Sequence, residues 1–88
     1  MYVCNIKHLP EKVFLSLSDE TKIKMATNQL FINCDNSDEY DEVFEWLCDN
    51  TLQPFYIIKE PQPDNKEIRS WIFFYDDIDL AGFKLRWA

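Results

Sequence analysis

The stretch CDNSDEYDEVFEWLCDN, residues 34–50, decides how this chain is organised. Tyr40, Val43, Phe44 and Leu47 recur at i, i+3, i+4 and i+7, which is the spacing of one buried helix face. Asn36 stands where a cap belongs, with Glu39 three residues on as its capping-box partner and Ser37 as the rival cap. Trp46 and Cys48 flank the stripe. The segment closes before Pro54, because the residue preceding a proline is pushed out of the helical region. One well-marked amphipathic helix therefore lies mid-chain, and its neighbours must supply the surface it buries against.

Working outward, PFYIIKE (54–60) and EIRSWIFFY (67–75) read as strands joined by the loop PQPDNK, and an antiparallel hairpin is the default for strands so close in sequence. Side chains alternate along a strand, so WIFFY puts rings on both faces of the sheet. Both faces must be covered there, or one aromatic side is exposed. Asp76 and Asp77 offer caps for IDLAGFKLRW (78–87), where Lys84 and Arg86 complement the helix dipole. Gly82 inside that helix costs about 1 kcal/mol relative to alanine unless close packing needs it.

On the N-terminal side, QLFINC (29–34) has strand length, and YVCNIKHL (2–9) alternates as a half-buried strand that Pro10 ends. Residues 10–28 admit two readings. VFLSLS and TKIKMA alternate like a hairpin, yet the intervening residues hold no Gly or Asn to supply positive φ. Ser18 before Asp19 and Glu20 reads as an N-cap with acids in the first turn, so short helices over 10–16 and 19–27 are expected. The sum is a single α+β domain over 1–88: a small antiparallel or mixed sheet of about four strands, with helices packed mainly on one face in a ferredoxin-like layer.

The chain has 88 residues, with 16 acids against 9 bases and a net charge of −7. That balance argues against direct nucleic-acid binding, which needs Lys and Arg on phosphates, and against anionic membrane surfaces. It favours a basic partner through long-range steering. No run of apolar residues reaches membrane-spanning length, and the start MYVCNIKHLP lacks the features of a signal peptide. Cys4, Cys34 and Cys48 form no C-x-x-C pair and are expected to be reduced thiols in a cytoplasmic protein. A single glycine rules out a Gly-rich phosphate loop. His8 is the one histidine, no zinc spacing exists, and Asp35 to Asp41 lacks the glycine of a calcium loop. No catalysis, metal or cofactor is expected.

The acids of the central helix are the feature with a function in view. No basic residue occurs between Lys24 and Lys59, and within that gap lie Asp35, Asp38, Glu39, Asp41, Glu42, Glu45 and Asp49. Solubility alone would account for acids on a surface. Against it, like charges at i, i+4 destabilise a helix by about 0.2–0.5 kcal/mol per pair, and lysines at those positions would stabilise it. The dipole explains Asp38, Glu39 and in part Asp41, but not Glu45 or Asp49. These seven residues are the expected partner-binding site, with Glu42, Glu45 and Asp49 pairing with lysines or arginines that otherwise contact phosphate.

The tail DDIDLAGFKLRWA resembles the ending of small bacteriophage proteins that close on an acidic cap, an alanine and then F-K-L-R-W. The matching positions are Asp79, Ala81, Phe83, Lys84, Leu85, Arg86 and Trp87, preceded by the aromatic strand WIFFY. Gly82 and Ala88 depart from the pattern, and the N-terminal half has no part in it. The resemblance implies no activity or catalytic residues. It implies a small phage-type protein in the bacterial host cytoplasm that binds and inhibits a basic, nucleic-acid-handling host protein, as acidic DNA mimics do. The rival expectations are a self-associating structural or virion component, such as a homodimer, that uses the aromatic strand and the 82–88 tail, and a small carboxylate enzyme.

Overall fold

The computed structural model describes residues 7–61 and 67–87. Their order is α1 (Glu11–Ser16), α2 (Asp19–Thr27), β1 (Gln29–Cys34), α3 (Ser37–Asn50), β2 (Phe55–Pro61), β3 (Ile68–Phe74) and α4 (Asp77–Trp87). The helical reading of residues 10–28 holds, and Ser18 caps α2 by accepting the Thr21 N–H at 3.2 Å. The three strands form an antiparallel sheet in the order β1-β3-β2, so the apolar β3 is central.

The α+β class is therefore as expected, but the sheet of the described residues has three strands, not about four. The expected N-terminal strand falls mostly on residues outside the described ones. What is described of it is an isolated parallel bridge between His8 and Phe55. There the Phe55 N–H donates to the Lys7 carbonyl and the Leu9 N–H donates to the Phe55 carbonyl, each at 2.8 Å. Pro10 then turns the chain into α1 and ends the pairing.

Alternation divides β3 cleanly. Ile68, Ser70, Ile72 and Phe74 are buried, while Arg69, Trp71 and Phe73 face the other way. The buried side meets Val43 and Leu47 of α3, Phe83 of α4, Phe55 of β2 and Cys34 of β1 in one core. Trp46 of α3 packs edge-on against Phe83 of α4, with ring centroids 5.8 Å apart, which joins the two long helices. Burying a Phe or Leu fully stabilises by about 1.5–3 kcal/mol, so this core dominates the stability.

The helices are not confined to that side. Phe14 of α1 stacks on Tyr56 at 4.2 Å and lies 5.8 Å from Phe73, both on the opposite face. The expectation of helices mainly on one face is corrected by that contact. Tyr56 of β2 and Phe73 of β3 need a cover on that face, and Phe14 of α1 provides it. Helix α2 adds to that cover with the buried Met25 and with Lys24 over the Tyr75 ring at 4.3 Å, while Phe31 and Trp71 pack ring against ring at 5.0 Å with Phe31 48% exposed.

The loop after α3 is held by a buried carboxylate. Asp79 accepts the Leu52 and Gln53 N–H groups, one on each oxygen, at 3.0 Å. Its own N–H donates to Asp76, which thereby caps α4. Cys48 is disulfide-bonded, which corrects the expectation of three reduced thiols, whereas Cys34 is free and buried.

Candidate functional site: the acidic face of α3

Helix α3 starts where Asn36 Oδ1 accepts the Glu39 N–H at 2.9 Å, so Asn36 rather than Ser37 is the cap. Val43, Leu47 and Cys48 are buried, and Tyr40, Phe44 and Trp46 pack beside them. At about 100° per residue, Asp38, Asp41, Glu42 and Glu45 fall in one sector centred opposite Leu47. All four are exposed. The buried stripe thus fixes which way the carboxylates point.

The other expected site residues divide. Asp35 is exposed in the turn before the helix, close enough to the Cys34 thiol to raise its pKa. Glu39 is half-buried in the first turn, where its backbone serves the cap. Asp49 is exposed but does not stand without a partner, so it drops out of the set of open charges.

Among the described residues, no lysine or arginine lies at ion-pair distance from Asp35, Asp38, Asp41, Glu42 or Glu45. The Lys22–Asp19 pair at 3.5 Å belongs to α2. Two cations do reach α3, and sequence spacing did not signal either. Lys7 donates to the Cys48 carbonyl at 3.1 Å, which satisfies the C-terminal end of a helix with no basic residue in its last turn. Lys59 sits 4.5 Å from the Tyr40 ring centroid, a cation–π contact on the flank of the stripe. Both engage the helix without neutralising its outward carboxylates.

Two groups beside α3 hold their protons more tightly than usual. Burial pushes the Cys34 thiol up to about 11, with Glu39 and Asp35 adding to it. Burial likewise raises Tyr40 to about 12, with Cys34 and Asp41 contributing. In both groups burial is the larger cause, and the neighbouring acidic groups add to it.

Away from this face, an open groove of 360 Å³ lies between residues 8–11 and Tyr56, Ile57, Ile58 and Lys59. His8 on its wall is edge-on to Phe44 at 5.0 Å, and burial lowers its pKa. Its ring also lies 5.5 Å from that of Phe55. No group of three or more His, Cys, Asp or Glu side chains among the described residues is placed to hold a metal ion. No helix of the described residues is long and apolar enough to cross a membrane.

The arrangement can do one thing well: present several negative charges on one face to a positive surface, with Asp38, Glu42 and Glu45 about 5–6 Å apart in turn along the helix axis. No protein-family model, curated protein or solved structure matches this chain, so that geometry is what its function must be read from.

Proposed function

We propose that this domain is a non-catalytic binding protein whose α3 face docks on a basic protein surface, one that otherwise holds nucleic acid. The observation that carries the reading is the set of exposed, uncompensated carboxylates Asp38, Asp41, Glu42 and Glu45 on a helix anchored by its opposite side. Helix energetics favour lysines at some of these positions, and none is present. A stability cost retained on one face is consistent with a surface kept for recognition.

In this reading the carboxylates meet Lys and Arg side chains arranged for phosphates, which are spaced about 3.4 Å apart in axial rise along one strand. Each exposed pair adds only about 0.2–1 kcal/mol, so the charges act together, mainly on steering and register. The tail resemblance gives the setting: a phage-type inhibitor in a bacterial host, acting as a DNA mimic. The disulfide at Cys48 fits a reducing cytoplasm poorly, so binding must be examined with and without reductant.

The test is a pull-down from bacterial lysate at low and high salt, with the double variant Glu42→Lys/Glu45→Lys in parallel. The reading expects a nucleic-acid-handling protein retained at low salt, released at high salt, displaced by DNA and not retained by the variant. Equal retention by the variant, or a partner indifferent to DNA, overturns it.

A further inference from the structure

Helix α4 carries an apolar stripe on the side turned away from its own core. Phe83 is fully buried, while Ile78 is 67% and Leu85 90% exposed, with Ala81 exposed between them. At about 100° per residue, Ile78, Ala81, Gly82 and Leu85 share one sector opposite Phe83. Their spacing is i, i+3, i+4 and i+7, the pattern of a helix face that packs on another helix. Leu52, 74% exposed, is tied beside the first turns by its N–H bond to Asp79.

Nothing among the described residues explains Gly82. Its φ is not positive, and a Cβ added to it would meet nothing within 4 Å. A mid-helix glycine costs about 1 kcal/mol relative to alanine. Neither backbone freedom nor internal packing repays that cost. A neighbour approaching closely from outside would.

The charges along the stripe say what that neighbour is. Asp77 and Lys84 are both exposed, lie seven residues apart and flank the stripe on the same side. Around a two-fold axis near Ala81 and Gly82, an antiparallel second α4 sets Ile78 against Leu85 of the other copy. It also sets Asp77 against Lys84, twice over. The helix dipoles oppose each other favourably in that arrangement. A stripe that is complementary to itself after a two-fold rotation is the hallmark of an isologous interface.

We infer that α4 is a self-association surface, on which two copies of this chain pair through an antiparallel Ile78–Ala81–Gly82–Leu85 contact closed by reciprocal Asp77–Lys84 pairs. The helix has 11 residues, about 16 Å of length, so the buried area falls short of a standard interface. The dimer is accordingly weak, and the net charge of −7 on each copy opposes it until salt screens the repulsion.

Sedimentation velocity of the full chain from about 10 μM to about 1 mM, at moderate salt, tests this against the affinity range of small interfaces. The expected weight-average mass rises from 10.6 kDa toward twice that value with concentration. Leu85→Glu should hold the chain monomeric while circular dichroism and Tm show it folded. Gly82→Ala should raise Tm in dilute solution yet weaken the dimer at least tenfold, a combination a purely internal role cannot give. Asp77→Lys and Lys84→Glu should each weaken association, and together restore it. A wild-type mass constant at 10.6 kDa to 1 mM overturns the inference, as does a dimer indifferent to Leu85→Glu or a double charge swap that fails to rescue.

Discussion

Replacing Glu42 by lysine should make the protein more stable and less able to bind. In α3, Glu42 lies i, i+4 from Asp38 and i, i+3 from Glu45, and neither neighbour has a compensating cation. Glu42→Lys removes two like-charge contacts and creates two opposite-charge ones. Each such term is about 0.2–0.5 kcal/mol, and partial screening leaves roughly 1 kcal/mol in total. For a domain of this size that is a rise in Tm of about 4–8 °C. The assay is thermal unfolding followed by circular dichroism at low salt, repeated at 1 M salt, where a Debye length of about 3 Å should erase most of the gain. Glu20→Lys is the matched control. Glu20 occupies the first turn of α2 and lies four residues before Lys24, so reversal there loses a dipole term and a favourable spacing. Its Tm should fall slightly. An unchanged or lowered Tm for Glu42→Lys at low salt would refute the claim that the α3 face is electrostatically strained.

Three further outcomes follow from buried groups. Asp79→Ala should lower stability by about 2–3 kcal/mol in chemical denaturation, because the loop N–H groups of Leu52 and Gln53 lose a charged acceptor; a loss under 0.5 kcal/mol would show that water replaces the carboxylate. Burial lowers the pKa of His8, so below its unfolded value of about 6.5 the unfolded chain binds a proton that the folded chain resists. Stability is then present at neutral pH and lost as pH falls through that window, and His8→Gln should flatten this part of a denaturation profile. The Cys34 thiol, buried and pushed up to about 11, should resist iodoacetamide at pH 8 in the native protein and react once guanidinium unfolds it; rapid native labelling would contradict its placement.

Local signals explain why most elements were legible. Asn36 with Glu39, and Ser18 with Thr21, are caps whose chemistry is written in adjacent residues. The alternation of β3 separated Ile72 and Phe74 from Trp71 and Phe73 without any tertiary information. What the sequence could not show was non-local. Nothing near Phe14 in sequence says that it crosses to the far face and stacks on Tyr56. The acidic face was legible because the apolar stripe fixes its direction, yet Asp49 could not be told from Glu45 by spacing alone. Lys7 and Lys59 reach α3 from a bridge and a strand distant in sequence, and only the fold brings them there. Asp79 looked like one more helix-start acid, whereas its role depends on a loop that lies 26 residues earlier.

The outward carboxylates of α3 are the proposed recognition surface. Its most direct test is isothermal titration of the captured partner with the wild-type chain and with Glu42→Lys/Glu45→Lys, at low ionic strength. A drop in affinity of tenfold or more, about 1.4 kcal/mol, with the variant at least as heat-stable as the parent, is the predicted result. Equal affinities for the two chains would contradict it.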